Sequence, residues 1–145
     1  MKIEVTKEDF LCLMNEGATF LDGIHGGFVI GRRHSEGGIK ILHEENGSFY
    51  CGELEIEGGE YIVNPIATTK FKDRLAEINS YKGEYKELTI EDTKKLSNVL
   101  NTNHPYDMIL LANYSQYIIN RAATSKYIKE LDKMNSEYNV MEENQ

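Results

Sequence analysis

A twenty-residue segment occurs twice in this chain. Residues 61–80 read YIVNPIATTKFKDRLAEINS and residues 117–136 read YIINRAATSKYIKELDKMNS, which gives nine identities in 20 aligned positions. Two unrelated segments of this length share roughly one residue. Internal repetition constrains the architecture before any other feature does, because each copy is expected to form the same structural unit.

Each copy has the pattern of a short strand followed by a helix. The opening YIV and YII triplets favour a strand, and Asn64 and Asn120 then stand at favoured N-cap positions. Pro65 occupies the first helical position, where its missing N–H costs nothing. The residues that carry the repeat are Asn64, Ala67, Thr68 and Leu75 in the first copy, and Asn120, Ala123, Thr124 and Leu131 in the second. Apolar residues recur on one helical face of both copies, so we expect Ala67, Leu75, Ala123 and Leu131 to be buried at matching positions.

A weaker similarity lies upstream of each copy. Residues 6–17 and 89–100 both begin with the pattern T-x-E-D, in which Thr6 or Thr89 caps a helix and Asp9 or Asp92 completes a capping box. The pattern is common at helix starts, so it is compatible both with an extended duplication and with coincidence. The capping residues are 83 positions apart and the strand–helix segments 56 apart, so unit one would carry about 27 additional residues.

Those additional residues lie within the glycine-rich stretch 20–64. Gly-Gly pairs at 26–27, 37–38 and 58–59, together with Asn46-Gly47, divide it into short strands. The segments GFVIG, GIKIL, SFYCGELEI and EYIVN predict a short antiparallel β-meander. The predicted fold class is α+β: this meander with flanking helices and the duplicated strand–helix unit. We predict one domain over residues 1–138, with unit one at 1–80, unit two at 81–138 and a polar tail at 139–145.

Charge and composition exclude several classes of partner. The 145 residues carry a formal net charge of −8, and residues 1–57 hold 11 acidic against 5 basic residues. Binding of nucleic acid through its phosphates needs a basic face, so no nucleic-acid partner is predicted. No apolar run approaches the roughly 20 residues of a membrane span, and the N-terminus has no apolar signal-peptide core. We therefore expect no membrane partner, no secretion through a signal peptide, and Cys12 and Cys51 as buried free thiols in a reducing compartment.

No arrangement of reactive residues predicts catalysis. His25, His34 and His43 are spaced nine residues apart along the predicted meander, a spacing that does not by itself bring three imidazoles to one metal ion. His34 with Glu36, or with a metal, would be the basis of a hydrolase, which is the weakest of the functional hypotheses. Arg32 and Arg33 are expected to pair with local carboxylates. No catalytic residue, metal site or cofactor is predicted.

The sequence of residues 25–80 resembles a module found in structural proteins of tailed bacteriophages. The module combines H-x-x-GG-I/T-K, a short hairpin, E-x-E-GGE-Y/F-I/V-I/V-N and A-T-x-K-x-x-x-x-L-x-x-I-N. The matching residues here are His34, Gly37, Gly38, Ile39, Lys40, Glu55, Glu57, Gly58, Gly59, Glu60, Tyr61, Asn64, Ala67, Thr68, Leu75 and Asn79. Such segments occur near the C-terminal end of tape-measure proteins and in virion proteins of crAss-like phages. The second copy lacks the GGE element.

This resemblance implies a non-enzymatic bacteriophage or prophage virion protein that docks onto other virion proteins or onto itself. Its expected location is the virion, and the host cytoplasm during assembly. The alternative is a small phage-encoded intracellular protein that sequesters a host protein. The acidic first unit, with an open sheet edge, is the better candidate for docking. The candidate interaction residues are Arg32, Arg33, His34, Gly58, Gly59 and Glu60.

The sequence is compatible with two interpretations of Gly59. A glycine at this position permits close approach of a partner chain, in which case Gly59→Val would weaken docking more than folding. Alternatively, Gly59 adopts a positive φ in a turn, and the substitution would weaken folding itself. The second copy has Tyr114 and Ser115 at the corresponding positions, so the shared fold does not require close approach there.

Overall fold

The structure is a computed structural model that describes residues 3–111 and 116–138. Its strands are β1 (Ile3–Val5), β2 (Phe20–Asp22), β3 (Gly27–Ile30), β4 (Ile39–Glu45), β5 (Ser48–Ile56), β6 (Tyr61–Val63), β7 (Val99–Asn101), β8 (Met108–Leu111) and β9 (Tyr117–Ile119). Its helices are α1 (Lys7–Asn15), α2 (Pro65–Lys70), α3 (Lys72–Asn79), α4 (Ile90–Lys94) and α5 (Arg121–Glu137), and a 3-10 turn spans His34–Glu36. The α+β class is confirmed. The predicted polar tail and the residues Tyr114 and Ser115 lie outside the described ranges.

The strands form two mixed sheets and not the predicted single meander. One sheet has the order β1-β5-β4-β8-β2, and the other has the order β7-β3-β6-β9. The β4–β5 hairpin is confirmed: Asn46 and Gly47 both have positive φ, at 53° and 84°, as its two-residue turn requires. However, β3 and β6 pair with each other in the second sheet. All three residues of β6 are buried, so this strand is covered on both faces, as a central layer must be.

Two apolar clusters fill the spaces between the layers. The cluster between the two sheets comprises Val29, Ile39, Ile41, Ile56, Ile62, Leu100, Ile109 and Leu111. The cluster between the second sheet and the repeat helices comprises Phe28, Tyr61, Val63, Ala67, Leu75, Ile78, Ile119, Ala123, Leu131 and Met134. Helix α1 covers part of the outer face of the first sheet, where the Phe10 ring lies 4.5 Å from Phe20 and 5.1 Å from Phe49 between centroids.

The two repeat copies have the same local structure. Asn64 and Asn120 each cap a helix by accepting a hydrogen bond from the backbone N–H three residues later, at 2.8 and 2.9 Å. Both helical segments then depart from helical geometry at the same repeat position, Phe71 with φ −114° and Tyr127 with φ −112°. The duplicated strand–helix unit is confirmed, and the four apolar positions predicted to match are fully buried.

An approximate two-fold axis relates the two copies. Strands β6 and β9 pair antiparallel with Ile62 opposite Ile118, which are equivalent residues of the repeat. The Asn64 N–H donates to Asn135 Oδ1 at 2.7 Å, and the Asn120 N–H donates to Asn79 Oδ1 at 2.8 Å. Asn79 and Asn135 are themselves equivalent. Each N-cap asparagine is therefore held by the last turn of the other copy's helix.

Arg74 and Glu130 form an ion pair across this axis. The guanidinium donates from Nε to Glu130 Oε2 at 2.7 Å and from Nη2 to Glu130 Oε1 at 2.9 Å. Both residues occupy the same position of the aligned repeat. At this position the two copies therefore carry side chains of opposite charge, which pair with each other.

The duplication extends upstream of the repeated segment. Strand β2 of unit one pairs in parallel with β8 of unit two, and β7 of unit two pairs in parallel with β3 of unit one. The two parallel pairs have equivalent hydrogen bonds. The Gly23 N–H donates to Leu110 O at 2.9 Å, and the Thr102 N–H donates to Ile30 O at 2.8 Å. The two units are thus interlocked, because each sheet contains strands from both units.

The upstream helices agree only in part with expectation. Both T-x-E-D capping boxes are present, at Thr6–Asp9 and Thr89–Asp92. Helix α4 ends at Lys94, however, and Leu100 lies in strand β7, because this segment pairs in parallel with β3. The expectation of two buried thiols is wrong, since Cys12 is exposed and Cys51 is half-buried.

Candidate interaction site

The residues of the HxxGG and GGE elements come together at one place in the structure. A 3-10 turn begins after Arg33, whose backbone N–H donates to Glu36 Oε1 at 3.0 Å. Gly37 and Gly38 then reverse the chain with φ of 105° and 62°, and the Gly38 N–H donates to Arg33 O at 2.9 Å. This turn places His34 beside the end of strand β5.

His34 lies between two carboxylates. Its Nδ1 is 2.9 Å from Glu55 Oε1, and its Nε2 is 3.0 Å from Glu57 Oε2. Lys40 Nζ also donates to Glu55, at 2.9 Å. The hydrogen bond with Glu55 raises the pKa of His34 above its usual 6.5 and lowers the pKa of Glu55 below its usual 4.5. The imidazolium form, which donates from both nitrogens, is the one that these contacts favour.

Arg121 extends this group of charges to the second unit. Its Nη1 is 3.3 Å from Glu57 Oε1, and its guanidinium stacks on Tyr85, 3.9 Å from the ring centroid. Glu60 accepts a hydrogen bond from the Glu57 N–H at 2.8 Å, and burial raises the pKa of its carboxyl. We call His34, Glu55, Glu57, Glu60 and Arg121 the His34 cluster. It connects the additional residues of unit one to the first turn of helix α5.

Gly58 and Gly59 border this cluster for reasons of backbone packing. A β-carbon at Gly58 would collide with the carbonyl oxygen of Gly31. Gly59 has φ 98°, and a β-carbon there would lie 3.1 Å from Arg121 Nε. The structure therefore favours the second interpretation of Gly59, in which the glycine is required by the fold.

Arg32 and Arg33 lie outside the His34 cluster. Arg32 donates from Nη2 to the carbonyl oxygen of Gly38 at 2.7 Å, a backbone contact where a carboxylate was predicted. Arg33 is exposed beside a cleft of about 240 Å³ between Gly58–Gly59 and helix α4. Within residues 3–111 and 116–138, no group of three or more His, Cys, Asp or Glu side chains could hold a metal ion.

The geometry does not favour the hydrolase hypothesis. Glu36, the proposed partner of His34, accepts the Arg33 N–H in the turn. Both ring nitrogens of His34 contact glutamates on strand β5 or directly after it, so neither is directed at a hydroxyl or thiol. A general base needs one nitrogen free to take a proton from its nucleophile.

A second surface of unit one combines an open strand edge with exposed apolar side chains. Strand β1 ends the first sheet, and next to it a groove of about 640 Å³ runs between helix α1 and the β4–β5 turn. We call this the α1–β1 face, comprising Ile3, Val5, Phe10, Leu11, Met14 and Phe49. The open edge agrees with the expectation for unit one. The groove was not predicted, although Leu11 and Met14, three residues apart on α1, were a signal for it.

Comparisons with known proteins give no family assignment. No protein-family model matches the chain, and no significant match was found among curated proteins or among solved structures. In the part of the chain that the structure describes, none of the helices combines the length and apolar character that a bilayer crossing requires.

Replacing His34 by glutamine is expected to lower the thermal midpoint by about 1–4 °C in mildly acidic solution, and by less in alkaline solution. The folded pKa of His34 is raised, so its contribution is complete below pH 6.5 and is lost as the pH rises through the folded pKa. Glu55 also contributes stability, but with the opposite pH dependence: its contribution is present above pH 4.5 and is lost as the pH falls through the folded pKa. Thermal denaturation of both proteins at about pH 5.5 and about pH 8.5 measures the difference.

The matched control is His43→Gln, which removes an imidazole from strand β4 outside the His34 cluster. A midpoint difference for His34→Gln that grows between the acidic and the alkaline measurement would contradict the assigned ion pairs.

Gly58→Val is expected to destabilise the protein by about 3 kcal/mol or more, because its side chain would meet backbone atoms of Gly31 that cannot rotate away. Gly59→Val should cost about 1–3 kcal/mol from the positive φ alone. Gly47→Val is the control for strain without collision, since its β-carbon would meet nothing within 4 Å. Urea unfolding measures all three. A loss below about 1 kcal/mol for Gly58→Val, a position without positive φ, would show that the contact with Gly31 is unimportant.

Proposed function

We propose that this chain is a non-enzymatic bacteriophage or prophage protein that is part of the virion and acts by docking onto other virion proteins. One structural observation carries the proposal beyond the resemblance. His34, Glu55 and Glu57, which belong to the phage-like pattern, bind one another through both nitrogens of the imidazole. Residues that satisfy each other in this way form a brace, whereas a reactive site leaves at least one group directed at a substrate.

The brace has a clear mechanical role in this proposal. Through Glu57 and Arg121 it ties the β4–β5 hairpin to helix α5. Strand β1 pairs with β5 of that hairpin and forms the edge of the first sheet. The cluster fixes the C-terminal end of β5, and residues 49–51 at the other end of the same strand pair with β1. Preorganised surfaces bind with a smaller entropic cost.

Location decides between this proposal and its alternative. Mass spectrometry of purified particles of the phage that encodes the chain is expected to find the protein at a fixed copy number relative to the major capsid protein. Particles separated on a density gradient and treated with protease beforehand exclude adhering cell protein. Presence in infected cells with absence from such particles would overturn the virion proposal and favour the intracellular sequestering protein.

A further inference from the structure

We propose that the α1–β1 face binds an extended, basic segment of another protein, which adds as a strand to the free edge of β1 and places an apolar side chain in the adjoining groove. This inference rests on the proposed docking function and specifies its partner. It is carried by three independent features of the face: the edge, the groove and the charge.

The edge supplies main-chain hydrogen-bonding groups. Strand β1 pairs antiparallel with β5 on one side only, with Ile3 opposite Cys51 and Val5 opposite Phe49. In the described part of the chain no strand covers its other side. Proteins usually protect such edges, because an open edge is a template for an added strand. Ile3, on this edge, is 65% exposed, so the edge is not blunted by a charged side chain at that position.

The groove supplies an apolar site next to the edge. Val5, Phe10, Leu11, Met14 and Phe49 line it, with Leu11 and Met14 exposed by 52% and 57%. Helix α1 has no fully buried residue, yet its capping box fixes its first turn. Exposed apolar side chains on an ordered helix beside a groove are typical of a protein-binding surface.

Charge selects the kind of partner. Residues 3–16 and 44–48, which form β1, α1 and the hairpin turn, hold six acidic residues and one basic residue, Lys7. A second copy of this chain would oppose the same acidic surface to itself, and an anionic membrane would be repelled as well. A segment carrying lysine or arginine between its apolar residues matches both the charge and the alternation of a strand.

The test uses the full chain and a synthetic ten-residue peptide that alternates lysine and valine around one central phenylalanine. The matched peptide has glutamate in place of each lysine. Isothermal titration is expected to show binding of the lysine peptide and at least about tenfold weaker binding of the glutamate peptide. Binding should weaken with added salt. Amide hydrogen exchange within β1 should slow when the peptide binds, because an added strand protects edge amides.

Two variants on exposed positions test the location. Leu11→Lys with Met14→Lys should weaken binding of the lysine peptide by about tenfold or more, and Ile90→Lys, on the exposed side of helix α4, should not. Unchanged circular dichroism confirms that each variant is folded. The inference is overturned by absent binding, by equal binding of the two peptides, by unaffected β1 exchange, or by full binding to the double variant.

Failure here is separable from failure of the proposed function. Phage particles carrying Leu11→Lys with Met14→Lys should contain less of the protein than wild-type particles do. If the double variant enters particles at the wild-type copy number, the protein is a virion component that docks elsewhere, and the α1–β1 face is not its docking surface.

Discussion

Leu131→Ala is expected to destabilise the protein by about 2–5 kcal/mol, and Leu75→Ala by a comparable amount. Both side chains are completely buried in the cluster between the second sheet and the repeat helices. Removing three carbons from either site loses the transfer free energy and leaves a cavity that rigid neighbours fill only in part. Because the sites are equivalent in the repeat, the two losses should be similar.

Urea unfolding followed by circular dichroism measures both losses, with the exposed Leu11→Ala as the control for leucine truncation without a cavity. A loss below about 1 kcal/mol for either buried leucine would contradict its place in the core. The double variant is informative as well, since residues of one packed cluster do not contribute additively.

Asn135→Ala is expected to cost about 2–4 kcal/mol, more than the equivalent Asn79→Ala. The Asn135 side chain accepts the Asn64 N–H at 2.7 Å and donates to the His25 carbonyl oxygen at 2.8 Å, in a buried position. Truncation leaves both backbone groups without these partners. Asn79 is only half-buried, so water can replace its contacts with Asn120.

The comparison of the two asparagine variants also tests the approximate two-fold relation. Each variant removes the hydrogen bond between one N-cap and the helix of the other copy, so each should lower the free energy of unfolding. The whole protein should still unfold in a single cooperative transition. A biphasic transition would indicate that the two units unfold independently, contrary to their interlocked sheets. Asn98→Ala, outside the two helices, is less suited as a control because Asn98 donates to the Gly26 carbonyl oxygen. Thr69→Ala, on the exposed face of α2, is the better choice, because its hydroxyl donates to Pro65 O in an exposed position where water can replace it.

Local features of this fold were predictable from the sequence because each depends on neighbouring residues. The N-caps at Asn64 and Asn120, the capping boxes and the turn at Asn46-Gly47 are all settled within a few positions of the chain. The α+β class follows from the same local signals. The break in helical geometry at Phe71 and Tyr127 was not predictable in this way, since neither proline nor glycine marks it.

Strand pairing could not be predicted because it depends on residues far apart in the chain. The positions of strands β3 to β6 along the chain were predicted correctly, but their pairing was not. Both faces of β3 and β6 are buried, so these strands pair in the second, central sheet. One long-range signal was present. The pattern of Leu21, Asp22 and His25 returns with the same spacing as Leu100, Asn101 and His104, with Asn in place of Asp. It marks the upstream part of the duplication.

The His34 cluster shows a different limit. His34, Glu55, Glu57 and Glu60 all belong to the phage-like pattern, but their spacing along the chain did not indicate that they contact one another, and Arg121 was not predicted. Glu55 and Glu57 lie 21 and 23 positions after His34, and Arg121 comes from the other unit. Only the hairpin and the crossing of helix α5 bring them together. The role of Arg121 had no counterpart in the first copy, where Pro65 stands at that position.

The Arg74–Glu130 pair bears on the order in which this chain is made. Unit one leaves the ribosome before unit two, so its repeat helix is made before the copy with which it pairs. Two copies of unit one, joined about the two-fold axis, would set Arg74 against Arg74, and that repulsion opposes the premature pairing. Glu130 arrives with the second unit of the same chain and makes the bidentate contact instead. The difference between the two copies at this position therefore favours pairing within one chain by no more than the small energy of a half-exposed ion pair.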